Sequence, residues 1–128
     1  MRLLLDTHIF LWYISGDSQL QDATRDAISD AENDVYLSVI SVWESLIKYQ
    51  IGKLPLPRSP EEYLPEQRER HLISSLPLDE GSVAKVVTLP LIHRDPFDRM
   101  LICQAMGHDL TIVTVDDAIC AYTNNVLR

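Results

Sequence analysis

The stretch Arg2-Leu3-Leu4-Leu5-Asp6-Thr7-His8 decides the fold: an apolar run stops abruptly at a carboxylate, and a second apolar stretch, Ile9-Phe10-Leu11-Trp12, follows. A short unbroken apolar run reads as a buried strand, and the stretch after Asp6 reads as a helix. Glu44, Asp98 and Asp116 stand in similar places, just past a strand-like run or at the start of the helix after it. In an open parallel sheet, groups at the carboxyl ends of the strands converge on one crevice. Two like charges about 4 Å apart at an effective dielectric near 20 repel by roughly 4 kcal/mol, so acids that converge stay ionised together only around a cation. The layout therefore suggests a divalent-metal site.

Working outward, strands and helices alternate along the chain. Leu3–Leu5 reads as a strand, residues 7–14 as a short helix, and residues 20–32 as a helix with Leu20, Ala23, Ala27, Ile28 and Ala31 on one face. Asp34–Val39 is the second strand. Ser41-Val42-Trp43-Glu44 then opens a helix with a Ser-x-x-Glu capping box, and that helix stops at Gly52. A proline-rich connector covers residues 54–60. Ser59-Pro60-Glu61-Glu62 starts another helix, which Pro65 should kink or restart. His71–Leu76 reads as a short strand, 79–87 as a helix, Phe97–Gly107 as a strong helix, Leu110–Thr114 as a β-branched strand, and 116–123 as a final helix. Such alternation predicts an α/β fold with a mainly parallel sheet layered by helices.

With 128 residues, 46% of them hydrophobic, the chain is expected to form one domain over residues 1–128. It shows neither a secretory signal nor an apolar run of the roughly 18 residues that a membrane span needs, which predicts a cytoplasmic protein with no membrane partner. Cys103 and Cys120 lack CxxC spacing and read as reduced, buried filler. The net charge of −8 disfavours a generic nucleic-acid binder, because neutralisation of phosphate dominates such affinity. Acids that hold a cation weaken that objection, since the loaded site attracts phosphate.

The motifs, taken in order, resemble a known family. Leu5-Asp6-Thr7-His8 with Leu11-Trp12, Ser38-Val39-Ile40-Ser41-Val42-Trp43-Glu44 with Lys48 and Gly52-Lys53-Leu54, Leu89-Pro90-Leu91-Ile92-His93-Arg94-Asp95-Pro96-Phe97-Asp98-Arg99, and Thr114-Val115-Asp116 look like a PIN domain of the VapC toxin type. The resemblance implies a three-layer α/β/α domain that binds Mg²⁺ or Mn²⁺, cuts RNA, forms a homodimer and is neutralised by a cognate antitoxin. By position, Asp6, Glu44, Asp98 and Asp116 match the family's acidic quartet. Cys103 stands where the family usually has alanine, and Asp117 doubles the last acid.

Each acid also has a plain structural reading. Asp6 and Asp116 suit helix N-caps, Glu44 the return half of a capping box, and Asp95-Pro96-Phe97-Asp98 the first positions of a helix, with Asp95 as its cap. Ser, Thr or Asn would cap as well, so acids at all four handovers favour shared chemistry. Ser41 and Thr114 are placed to orient carboxylates or water through their hydroxyls, and equally to cap or to fill a strand. Arg94 and Arg99 flank Asp98 and could hold RNA phosphate or balance the local acids. His8 is not assigned to catalysis, and Trp12, Trp43 and Phe97 read as core. No nucleophile triad or glycine-rich phosphate loop is present, which points to water as the nucleophile. Asp6, Glu44 and Asp98 would hold one ion, while Asp116 would help with a second or position the water. A haloacid-dehalogenase-like phosphatase would need an acid where His8 stands, and a noncatalytic binding module would more plausibly have lost an acid.

Overall fold

The computed structural model describes residues 1–128. A central sheet carries five strands in the order β3-β2-β1-β4-β5, all parallel. These are β1 (Arg2–Leu5), β2 (Asp34–Ser38), β3 (Ser74–Leu76), β4 (Thr111–Val113) and β5 (Val126–Leu127). Helices α1 (Thr7–Ser15), α2 (Asp22–Ser29), α3 (Val39–Gln50) and α4 (Pro60–Arg70) precede β3. Helix α5 (Glu80–Ala84), continued by a 3₁₀ turn over Lys85–Thr88, then α6 (Pro96–His108) and α7 (Asp117–Cys120) complete the layers.

The pleat explains why β1 is apolar throughout. Leu3 and Leu5 point to one face, where Val35, Leu37 and Val113 meet Ile9, Phe10, Ile28 and Leu64. Leu4 points to the other, where Ile112 and Leu76 meet Leu101, Ile102 and Ile119. A strand flanked on both edges and covered on both faces has no solvent side to alternate with, so all three leucines are fully buried.

The predicted α/β architecture is therefore present, with local corrections. Helix α3 is capped by Ser38, three residues before the expected Ser41, its hydroxyl accepting from Ile40 N at 3.0 Å. No Ser41–Glu44 capping box forms. Helix α4 runs through Pro65 without restarting. The proline removes one hydrogen bond, to the carbonyl of Glu61, and that residue is exposed and can be solvated, while Leu64 and Gln67 hold the helix against the core. The strand expected from His71 starts only at Ser74, and the helix expected over 20–32 is limited to Asp22–Ser29. Strand β5 is too short to carry a periodicity; it forms by pairing with Ile112 and Val113.

The carboxyl ends of all five strands lie along one edge, and there Asp6 N donates to the Val113 carbonyl at 2.9 Å. Hydrogen bonds from Gln104 position α6 over this edge: Ser38 Oγ donates to Gln104 Oε1, and Gln104 Nε2 donates to the Pro77 carbonyl at 3.2 Å.

Two non-glycine residues outside the site, Leu72 and Asp109, take the left-handed backbone conformation, and leucine is the costlier of them there. Leu72 follows α4 with φ of 58° and is 89% exposed. The left-handed region costs a non-glycine residue roughly 1–2 kcal/mol, against the roughly 0.5–1 kcal/mol of extra chain entropy that glycine loses. Leu72→Gly should therefore stabilise the protein by roughly 0.5–1 kcal/mol in a denaturant titration. A loss of stability would show that Leu72 makes a contact in the folded chain that its exposure conceals.

Candidate metal centre

Asp6, Glu44 and Asp98 are all buried, and Asp116 is half-buried. Asp6 caps α1, its Oδ1 accepting from Thr7 N at 2.7 Å, while its Oδ2 accepts from the Thr114 hydroxyl at 2.8 Å. The cap and the cluster are thus two duties of one side chain. Thr114 Oγ1 also accepts from Asp116 N at 3.0 Å, so one buried hydroxyl links the first and last acids of the quartet. Asp116 itself caps α7, its Oδ1 accepting from Ala118 N.

Glu44 lies within α3, well past its first turn, and is not a cap. Its Oε1 accepts from the Thr7 hydroxyl at 2.7 Å, and that hydroxyl lies 2.8 Å from Ser41 Oγ. Its Oε2 accepts from Lys48 Nζ at 2.6 Å, one turn along the helix. Ser41 and Thr114 therefore sit among the acids, each in contact with the groups that orient them.

Asp95 caps α6, with Oδ1 accepting from Phe97 N and Asp98 N. This releases the Asp98 carboxylate, which meets His93 Nε2 at 2.8 Å. His93, Asp98 and Asp116 present ligand atoms that all lie within 4.8 Å of one another. His93 was absent from the candidates drawn from sequence, although it lies five residues before Asp98 and its side chain type was the available signal. Thr7 and Lys48 were missed as well. Both sit in the quoted motifs, but only the packing of α1 on α3 brings them to Glu44.

The two arginines that could hold phosphate or balance the local acids part company. Arg94 is exposed. Arg99 is buried, and its guanidinium donates to the carbonyls of Pro90, His93 and Val86 and to the Tyr122 hydroxyl, at 3.1 to 3.4 Å. Those contacts hold the loop before α6 and leave its charge facing backbone oxygens. Trp43, expected in the core, is 55% exposed and packs edge-on against Phe97 with ring centroids 5.1 Å apart. Trp12 and Phe97 are partly buried against the two cores. Cys103 is buried, Cys120 is half-buried, and both are free.

The electrostatics fit a cation. Burial pushes the Asp98 carboxyl up from its ordinary 3.8 to about 6, with Asp6, Asp95 and Glu44 adding repulsion against the hydrogen bond from His93. Burial likewise raises Asp6, with Glu44 adding to the effect. The hydrogen bond to Asp98 raises His93. Lys48 is raised overall: burial pulls it down, but its bond to Glu44 and the charges of Asp95 and Asp98 outweigh that. Buried carboxylates that repel one another, offering hard oxygen donors, are the donor set a divalent cation of the Mg²⁺ type takes.

The family follows from comparison with known proteins. Residues 3–125 match the model of the PIN domain family. The chain belongs to that family. Over 61 residues it is 38% identical to Ribonuclease VapC16 of Mycobacterium tuberculosis (strain ATCC 25618 / H37Rv), a match covering 48% of the chain and 43% of that protein. The chain thus spans less than half the length of the curated relative it matches. Among solved structures, it is similar to VapBC2 from Rickettsia felis bound to a DNA fragment from its promoter, at a TM-score of 0.72 and 15% identity, covering 99% of this chain and 96% of that one. FitAcB from Neisseria gonorrhoeae superposes at 0.68 with 24% identity, over 98% and 96% of the two chains. A toxin-antitoxin complex from Klebsiella pneumoniae superposes at 0.62 with 18% identity, also over 98% and 96%. At these identities the likeness to the solved structures is one of fold, and a PIN fold with an all-parallel sheet is what the chain has.

The raised Asp98 sets a pH dependence. Folded, it binds its proton more tightly than in the unfolded chain, so its contribution to stability falls as pH rises from about 4 through about 6. His93, also raised, acts in the same sense: its stabilisation is complete below its unfolded value and is lost as pH rises through the folded one. In chelator, Asp98→Asn should melt above wild type at pH 7.5, and the gap should narrow at pH 5. A gap of equal size at both pH values would mean that Asp98 is not strained by its surroundings.

Proposed function

We propose that the protein is a metal-dependent endoribonuclease that acts as the toxin of a toxin-antitoxin pair. The single observation that carries this reading is the set of carboxylates, Asp6, Glu44 and Asp98, buried at the carboxyl edge of the sheet with Asp116 linked to them through Thr114. The PIN family and the partial match to a protein named a ribonuclease support it, as does the fold neighbour that is a toxin-antitoxin complex.

Asp6, Glu44 and Asp98 are the residues assigned to hold Mg²⁺ or Mn²⁺, with Asp116 completing the site. When bound, such an ion neutralises the acids, polarises a phosphate oxygen and makes water a better nucleophile. The side chains do the rest. Thr7 and Thr114 keep Glu44 and Asp6 in one orientation, which lowers the reorganisation needed when substrate arrives. Asp116 has its Oδ1 occupied by Ala118 N, leaving Oδ2 to orient the attacking water and accept its proton. Attack in line on phosphorus breaks the bond to the ribose 3′-oxygen, leaving a 3′-hydroxyl and a 5′-phosphate. Lys48, half-buried beside Glu44, and exposed Arg94 supply positive charge for the RNA backbone beside an otherwise acidic surface.

The partner expected of such a toxin is a small antitoxin that lays a segment over the acidic crevice. A basic side chain reaching Asp6, Glu44 or Asp98 would take the place of the metal through charge-assisted bonds. An apolar groove lined by Leu11, Trp12, Leu54, Leu56 and Tyr63 begins at His8, two residues from Asp6, and can seat the apolar part of that segment. A cytoplasmic homodimer is the form in which we expect the toxin to act.

Incubated with structured RNA, the purified protein should cleave with Mg²⁺ or Mn²⁺ and stop in EDTA, leaving 5′-phosphate ends. Asp6→Asn, which can still cap α1, and Glu44→Gln should each lower the rate roughly 10²-fold or more while the fold persists. Calcium should bind yet support little turnover, because its looser coordination positions water poorly. Cleavage that survives EDTA, or that both variants retain in full, would rule out the metal mechanism. The cognate antitoxin should abolish cleavage, and a partner that binds without inhibiting would defeat the toxin-antitoxin assignment. Sedimentation of the free toxin at a monomer's mass at micromolar concentration would refute the homodimer.

A further inference from the structure

The four acids leave one feature of the centre unaccounted for: a histidine held at the same spot by a dedicated scaffold. The backbone of His93 is fixed at both of its polar atoms. Its N–H donates to the Tyr122 hydroxyl at 2.7 Å, and its carbonyl lies 3.3 Å from the same hydroxyl and 3.4 Å from Arg99 Nη1. Arg99 in turn donates to Tyr122 Oη at 3.2 Å and to the Pro90 carbonyl at 3.1 Å. A buried cation and a tyrosine from beyond α7 thus fix the loop, although the cap of α6 needs only Asp95. This aims the imidazole at the acids, with Nε2 2.8 Å from Asp98 Oδ2 and within 4.8 Å of a carboxylate oxygen of Asp116.

We propose that His93 is itself a ligand of the divalent ion, giving this centre a mixed nitrogen and oxygen donor set in which His93 Nε2 joins Asp98 and Asp116. The inference rests on the metal site proposed above and adds its donor chemistry. Two ligands at right angles around an ion with bonds of about 2.1 Å lie about 3.0 Å apart, and trans ligands lie about 4.2 Å apart. The separation between His93 and Asp98 already matches the first, and a trio lying within 4.8 Å of one another is compact enough for one ion to be shared. The proton that bridges Nε2 and Oδ2 in the free protein is then displaced when the ion enters, as ligation by imidazole requires. The other ring nitrogen, on a side chain 24% exposed, remains open to water. An imidazole donor raises affinity for Mn²⁺ and the later first-row ions more than for Mg²⁺, which prefers oxygen. The centre therefore favours Mn²⁺ over Mg²⁺, where a site of carboxylates alone would discriminate less. Tyr122 and Arg99 are positioning residues, since they act on His93 and touch neither ion nor substrate.

The test uses Mn²⁺ alone as the probe, with the full-length protein and no RNA. Pulsed electron paramagnetic resonance of the Mn²⁺-loaded protein should show the modulation of a directly bound ¹⁴N nucleus. His93→Gln should abolish that modulation and raise the Mn²⁺ dissociation constant by calorimetry at least the roughly tenfold that losing an outer-sphere partner costs, with a smaller effect on Mg²⁺. His8→Gln, the control for the other histidine beside Asp6, should retain the modulation. Three outcomes would overturn the proposal: bound Mn²⁺ without nitrogen modulation, modulation that survives His93→Gln, or equal losses of Mn²⁺ and Mg²⁺ affinity. The first of these leaves the oxygen-ligand centre standing. Failure of wild type to bind Mn²⁺ at all would remove both that centre and the role of His93. Because His93 is partly exposed and its backbone contacts are unaffected by the side chain, the variant should fold, and circular dichroism confirms this in the same samples.

Discussion

The structure depends on keeping several carboxylates close together in a poorly solvated crevice. Each would sooner be in water or apart from the others, and the strain shows in the raised Asp98 and Asp6. What holds them is a set of neutral donors and one local cation, Lys48. Asp6 is anchored on both oxygens, by Thr7 N and by the Thr114 hydroxyl, so it cannot turn away from Glu44. Glu44 is anchored on both of its own, by the Thr7 hydroxyl and by Lys48. Threonine is well suited to this work, because a hydroxyl can donate to a carboxylate without neutralising it.

The sheet makes this crowding affordable elsewhere in the chain. Parallel strands buried on both faces supply two apolar cores, one on each side, and their carboxyl ends must all open on the same edge. Residues separated by more than a hundred positions, Asp6 and Thr114, become hydrogen-bonding neighbours because β1 and β4 lie side by side in register. The helix starts that follow are short of polar partners for their first N–H groups, so an acid there both caps and faces the crevice. Asp6 and Asp116 do so. Asp98 does not need to, because Asp95 caps its helix, and it is the acid left free to pair with a histidine.

The loop before α6 shows a second level of organisation. Arg99 could in sequence hold a phosphate or balance the nearby acids, yet its guanidinium is enclosed by carbonyls and the Tyr122 hydroxyl. A planar cation with several donors is the natural group to hold a turn that has no ladder hydrogen bonds of its own. Trp43 departs from expectation in the opposite direction: the helical face that buries Ile40 and Glu44 leaves residue 43 outside, where Phe97 covers only one edge of the indole.

By itself, the sequence determined the layer architecture and the places of Asp6 and Asp116 just past β1 and β4. Both are local signals: an apolar run such as Leu3-Leu4-Leu5 has to be buried on two faces, and a carboxylate directly after it has to sit at the sheet's edge. Tertiary structure decided which donors serve those acids. Thr7 and Lys48 reach Glu44 only because α1 packs on α3, and His93 reaches Asp98 only because Tyr122, nearly thirty residues later, bends the loop back. It also decided that α3 is capped by Ser38 rather than Ser41, that Pro65 is tolerated, and that β5 exists at all. The choice between Ser38 and Ser41 as cap turns on an amount comparable to one hydrogen bond, about 1 kcal/mol, whereas Pro65 costs roughly 3 kcal/mol that the burial of Leu64 and Gln67 offsets, and in both cases contacts between distant segments settle the balance.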